Sequence, residues 1–132
     1  MKKVFILFFL GFVFNFVWEN AHACLYVHYQ GSVITQLILL RAALFDATFI
    51  TIVGFIFLKF NWLKKRAWMA IIVGIVFAVF LEIFALKTGR WEYNNFMPII
   101  PFINIGLTPT IQLGLLSFII LKIYEKITQK QR

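Results

Sequence analysis

The sequence predicts an all-α integral membrane bundle of four transmembrane helices, with the N- and C-termini both inside. Three observations carry that prediction. Four apolar runs each approach the ~20 residues a helix needs to cross a bilayer. The chain is 62% hydrophobic with mean hydropathy +0.89, where a soluble domain is nearer ~45–50% apolar. The basic residues gather beside those runs, at Lys2–Lys3, Lys59–Arg66 and Lys122–Arg132. With 17 Phe, 4 Trp and 4 Tyr in 132 residues, one small core cannot hide the apolar surface, so lipid has to cover it.

The runs form one transmembrane domain, residues 1–132, with spans at about 4–23, 33–60, 67–86 and 108–123. The first opens at Val4, after two lysines. The second runs from Val33 to Phe60 and the third from Ala67 to Leu86. The fourth opens at Thr108-Pro109. Thr108 is expected as its N-cap and Pro109 as its first helical residue, because the missing proline N–H has no partner there in any case. The outer loop, 87–107, ends in the apolar stretch Phe96–Ile103, which holds Pro98 and Pro101 and is too short to span. It is expected to lie over the outer ends of the helices with its apolar residues among the headgroups.

Charge fixes the orientation. With the N-terminus inside, ten basic residues fall on the cytoplasmic side and only Lys87 and Arg90 on the outer side, the asymmetry that holds Lys and Arg in the cytoplasm. The localisation expected is a bacterial cytoplasmic membrane. The net charge of +8 is spread over these flanks. It makes no basic face or groove-binding motif, so nucleic acid is not a partner. The single cysteine, Cys24, excludes an internal disulfide, a CxxC pair and a Cys-only zinc site. A competing reading exists for the N-terminus: Lys2-Lys3, an apolar stretch and Ala21-His22-Ala23 resemble a signal peptide with cleavage after Ala23.

The informative residues are ionisable ones inside the spans, since a charge in a bilayer costs a few kcal/mol or more and marks a site by default. Helix rise of ~1.5 Å per residue places Glu19 and Glu82 roughly 22 Å from the inner boundary, and Arg41 and Asp46 roughly 12 and 20 Å in from the outer one. Gln112 lies one turn below the outer start of the fourth span. The polar groups therefore share the outer half of the bilayer. Asn15, Glu19, His22 and Tyr26 fall on one helix face and should point into the bundle. Arg41 can reach Glu19 or Glu82, whereas Asp46 has no obvious basic partner. Arg90, Trp91 and Tyr93 would close the pocket from the outer loop. The pocket set is thus Asn15, Glu19, His22, Arg41, Asp46, Glu82, Arg90, Trp91, Tyr93 and Gln112. Asp46 and Glu82 are the candidate acids if the site is catalytic.

Other signals are weaker. His22-x-Cys24-x-x-x-His28 has metal-ligand residue types without a metal-site spacing, so neither a metal nor another cofactor is expected. No phosphate loop and no nucleophile elbow are present. Gly54, Gly74 and Gly114 fit close helix packing. Val33–Leu40 echoes Pro109–Leu116 with four identities in eight, as a duplicated hairpin would.

Phe16-Val17-Trp18-Glu19 with Leu25-Tyr26, Arg41-Ala42-Ala43-Leu44-Phe45-Asp46-Ala47, and Glu82 through Thr88-Gly89-Arg90-Trp91-Glu92-Tyr93 to Met97-Pro98 and Gly106-Leu107-Thr108-Pro109-Thr110-Ile111-Gln112 form one pattern. It resembles a group of small bacterial multi-pass membrane proteins with no assigned activity. The resemblance covers most of the chain. It implies a shared fold, a membrane location and a retained first helix, and no reaction, substrate or partner.

Two function classes follow. One is a binding, accessory or carrier protein whose polar pocket takes a small molecule or lipid, alone or as a homo- or hetero-oligomer. The other is a membrane-embedded enzyme acting on a lipid or isoprenoid by carboxylic-acid catalysis. A purely structural role for the charges, as an ion-pair network between Arg41 and the glutamates, stands beside both.

Overall fold

The computed structural model describes residues 1–29 and 31–130. Four helices are long and apolar enough to cross a membrane: α1 (Lys2–His22), α2 (Gln36–Lys59), α4 (Met69–Lys87) and α5 (Leu107–Gln129). A single turn of helix, α3 (Asn61–Lys64), joins α2 to α4. Helix α1 packs along α2, and α4 along α5. Helix α5 also touches α1 and α2, which makes it the most enclosed of the four.

The packing faces invert the pattern of a soluble helix. On α1 the buried positions Leu7, Gly11, Asn15 and Glu19 recur every four residues. On α4 Ala70, Gly74, Ala78 and Glu82 do the same. Residues spaced by four line up as a ridge along one face. Both ridges are mostly small or polar, while Phe5, Phe9, Val17 and Phe80 point outward and are exposed. Lipid tails are as apolar as these side chains, so helix association in a bilayer depends on close approach and polar contact. Gly74 and Gly114 supply the approach. A Cβ on Gly74 would run into the Gly114 backbone, and one on Gly114 into the Ile71 carbonyl oxygen. Gly54 admits the Leu7 side chain, 3.1 Å from where its Cβ would sit. Leu7, Ile50, Leu116 and Ile120 fill the interior of the half opposite the strands described next.

The other end differs from an all-α expectation. Helix α1 stops at His22, makes a 3₁₀ turn over Ala23–Leu25, and continues as strand β1 (Tyr26–Tyr29). Tyr26 is therefore not on the α1 helix. Strand β1 pairs antiparallel with β2 (Trp91–Tyr93), setting Tyr26 opposite Tyr93 and Tyr29 opposite Trp91. Asn94 locks the pair, its backbone N–H donating to Leu25 O (2.9 Å) and its side-chain amide to Cys24 O (2.5 Å). A second ribbon pairs β3 (Ile99–Ile100) with β4 (Ile105–Gly106). Aromatic and β-branched residues favour strands, and Pro98 and Pro101 prevent helix continuation. Residues 87–107 thus form an ordered cap, with Phe96, Phe102 and Ile103 exposed at its surface.

Helix starts also shift. Helix α2 begins at Gln36, not Val33, where the Thr35 hydroxyl accepts from the Ile38 N–H (3.4 Å). Thr108 is not the N-cap of α5. Gly106 takes that place, and the Thr108 hydroxyl is drawn instead to Met97 and His22. Pro109 still falls in the first turn, where helix N–H groups lack intrahelical partners. Helix α5 runs on to Gln129, past Ile123, with Lys122 and Glu125 paired at 3.1 Å.

Gly74→Ala is expected to force α4 and α5 apart and cost about 1–3 kcal/mol, as overpacking of a close contact does. Val76→Leu, on the exposed face of α4, is expected to leave stability unchanged. Thermal unfolding of the two variants in detergent, followed by fluorescence-detected size exclusion, makes the comparison.

Candidate functional site: a carboxyl-lined cavity under the cap

A cavity of about 240 Å³ lies between the helices at the capped end. Glu19 and His22 of α1, with Gln112 of α5, form its back. Asp46 of α2 and Glu82 of α4 face it from the two sides. Tyr26, Tyr29 and Trp91 roof it. Below it, α2 and α4 meet through aromatic rings: Phe49 stacks on Phe77 at 4.3 Å between centroids, and Phe45 on Phe77 at 6.3 Å. Nearer the opposite end, Val53 and Phe57 of α2 share a core cluster with Ala70 of α4 and Leu121 of α5. The front of the cavity, between α2 and α4, is rimmed by Arg41, Phe45, Phe84 and Arg90, all exposed.

The first polar cluster centres on Gln112, itself buried. Its Nε2 donates to Glu19 Oε1 (2.8 Å), Asp46 Oδ2 (2.9 Å) and Asn15 Oδ1 (3.0 Å). Two N–H bonds serve three acceptors, so at least one is shared. The Asn15 amide is turned by its own bond to Gly11 O (2.7 Å), which leaves its oxygen facing Gln112. Glu19 Oε2 meets Tyr29 Oη (3.4 Å) and His22 Nε2 (3.3 Å). The other His22 nitrogen contacts the Thr108 hydroxyl at 3.2 Å, and that hydroxyl also reaches the Met97 sulfur at 3.4 Å. Both oxygens of Glu19 are therefore engaged.

The second cluster belongs to Glu82. Its Oε2 accepts from the Tyr93 hydroxyl and from Trp91 Nε1 (3.1 Å). Its other oxygen has no hydrogen-bond partner among the described residues, whereas the Asp46 carboxyl, besides accepting from Gln112, is hydrogen-bonded to Glu19. Both residues line the cavity and are at least 93% buried, with Asp46 7% and Glu82 4% exposed.

Of the residues expected at the site, Asn15, Glu19, His22, Asp46 and Gln112 come together in one network, and Glu82, Trp91 and Tyr93 in another. Arg41 and Arg90 line the cavity, but neither side chain makes an ion pair among the described residues. Arg90 lies over the Phe84 ring at 6.0 Å. The expected Arg41–glutamate ion pairs are thus not formed. Arg41 projects to the exposed rim while the glutamates lie on buried ridges. Tyr29, Thr108 and Met97 were not expected in the site. Tyr29 is brought in by β1, and Thr108 by the earlier start of α5. The clue in the sequence was the aromatic run Tyr26–Tyr29 directly after a buried helix face.

Burial raises the pKa of all three roof phenols, and the carboxyls add to it: Glu82 and Glu19 near Tyr26, Glu19 near Tyr29, Glu82 near Tyr93. A phenol whose folded pKa lies above its unfolded value near ~10 stabilises the fold while protonated. That contribution is complete below about pH 10 and lost as pH rises through the folded value. Thermal stability is expected to fall above pH 10, with a smaller alkaline loss in Tyr93→Phe. Unfolding temperatures between pH 8 and 12, with phenolate absorbance followed in parallel, test this.

Compared with protein-family models, curated proteins and solved structures, the chain matches none, so its function has to be read from the chemistry of the cavity.

Proposed function

We propose that this chain is a binding or carrier protein of a bacterial cytoplasmic membrane. It holds a small polar or lipid ligand in a carboxyl-lined cavity in the outer half of the bilayer. The observation that carries this reading is the pair Asp46 and Glu82, two buried carboxyls lining the same cavity from α2 and α4, with one oxygen of Glu82 open to it. A buried acceptor left unmatched is costly, and intramembrane carboxyls lining a cavity mark a ligand or proton site by default.

The orientation belongs to the same reading. Lys2, Lys3, Lys59, Lys64, Lys65 and Arg66 lie at the end opposite the cap, which favours a cytoplasmic placement for that end and puts the cap and cavity outside. The relatives it would share this architecture with are the small bacterial multi-pass membrane proteins whose sequence pattern it resembles.

A second reading has its own support. The Tyr93 and Trp91 donors fix one oxygen of Glu82 and aim the other into the cavity, as a positioned general acid would be. On that reading a bound lipid or isoprenoid is turned over.

Two measurements test the assignment. Cys24, exposed and single, should react with a membrane-impermeant maleimide added to intact cells; protection until lysis would reverse the orientation. Mass spectrometry of organic extracts of the purified protein should find a compound bound to wild type and lost from Asp46→Asn and Glu82→Gln variants that still elute as folded protein. Extracts free of any such compound overturn the binding reading. A compound consumed by wild type and left intact by the folded variants decides for the enzyme.

A further inference from the structure

The cavity has one unpacked side and an uneven distribution of charge, and together these say what kind of ligand enters it. Its roof is strand β1 and Trp91, its back is α1 and α5, and Ala78, Leu81 and Leu113 add apolar lining. At the front, between α2 and α4, no element packs over it among the described residues, and Phe45 and Phe84 are about half exposed there (50% and 52%). In a bilayer that side faces acyl chains, because α2 and α4 both carry exposed apolar residues along it. The entrance is therefore apolar and lateral.

Charge is ordered along the same path. At the rim stand two guanidinium groups, Arg41 and Arg90, with no anionic partner among the described residues. Inside stand the carboxyls of Asp46 and Glu82, the second with one oxygen open. A cationic rim and an acidic interior suit one molecule that carries an anion outside and a cation inside. Guanidinium groups suit phosphate oxygens. Two carboxyl oxygens on facing helices suit a primary ammonium, which has three N–H donors to place. The aromatic roof above them adds favourable ring faces for a cation.

We propose that the cavity takes the headgroup of a zwitterionic membrane phospholipid with a primary amine. The lipid enters sideways between α2 and α4, with the ammonium between Asp46 and Glu82, the phosphate at Arg41 and Arg90, and the acyl chains left in the membrane along Phe45 and Phe84. This rests on the binding reading above and names its ligand class. It also gives the two arginines a task that pairing with the glutamates does not.

The test uses the full chain in detergent and short-chain probes of equal tail length: phosphatidylethanolamine, phosphatidylcholine and phosphatidylglycerol, with O-phosphoethanolamine as the headgroup without tails. Affinities are read by native mass spectrometry. Wild type should bind phosphatidylethanolamine about tenfold or more tighter than phosphatidylglycerol, a difference of the size one charge-assisted contact gives. Phosphatidylcholine, whose ammonium has no N–H, should be weaker than phosphatidylethanolamine. Glu82→Gln or Asp46→Asn should erase the preference for the amine. Arg41→Gln should weaken all three phospholipids together and leave the preference in place. Equal affinity of wild type for phosphatidylethanolamine and phosphatidylglycerol overturns the proposal without any variant. So does a preference that survives in both carboxyl variants. O-phosphoethanolamine binding as tightly as the lipid overturns lateral entry from the bilayer. If the probes are not distinguished while a different compound leaves with Asp46 or Glu82, this proposal falls and the binding reading stands. If nothing binds, both fall.

Discussion

One side-chain amide holds three helices in register. Gln112 of α5 reaches Asn15 and Glu19 of α1 and Asp46 of α2 from a single nitrogen. In an apolar surrounding each of those oxygens would otherwise be a buried acceptor without a donor, at about 1–3 kcal/mol apiece. Moving α1 by one turn against α5, roughly 5.4 Å, would lose the bonds to Asn15 and Glu19, and moving α2 would lose the one to Asp46. The lower half of the bundle offers no comparable discrimination, since its Leu, Ile and Phe contacts are nearly interchangeable. Polar contact at the capped end therefore selects the arrangement, and the small-residue ridges allow it by bringing backbones close.

The same residues frame the cavity, so stability and function are not separable by location. They are separable by the chemistry of the contacts. Glu19 has both oxygens engaged within the protein, by Gln112 on one side and by Tyr29 and His22 on the other. No Arg or Lys neutralises a carboxyl in the cavity among the described residues. A bundle held together by ion pairs would place Arg41 against a glutamate, because an unpaired buried charge is what makes such sites expensive. Here the cations stand at the rim and the acids inside, an arrangement that leaves both available to a ligand.

Much of this was legible in the sequence, and the reasons for the failures are physical. Long apolar runs are a strong signal, so all four spanning helices appear where expected, with starts displaced by one to three residues. Uniform helix rise put Glu19 and Glu82 at a common level, with Gln112 above them and Asp46 deeper. It could not give azimuth across helices, so it offered Arg41 to the glutamates when α2 turns that side chain to the rim. The strands of the cap were invisible because two to four residues are too few to show a period, and the β1–β2 pairing joins positions more than sixty residues apart. Thr108 has the residue type of an N-cap. Only the fold shows that its hydroxyl is taken by His22 and Met97.

Glu19 and Glu82 occupy like positions in the two helix pairs. Each is the fourth member of a buried ridge spaced by four residues, on the first helix of a tightly packed helix pair. Each receives a hydrogen bond from a tyrosine of the cap, Tyr29 to Glu19 and Tyr93 to Glu82. Up to that point they are equivalent. Glu19 then faces α5, where Gln112 closes its remaining oxygen, and it becomes part of the frame. Glu82 faces the gap between α4 and α2, where no residue supplies a second donor, and its remaining oxygen stays open. Two like positions have been put to different uses by what stands opposite each. The open one lies on the side where the bundle itself is open, so the glutamate that the protein leaves unsatisfied is the one a ligand from the membrane would meet.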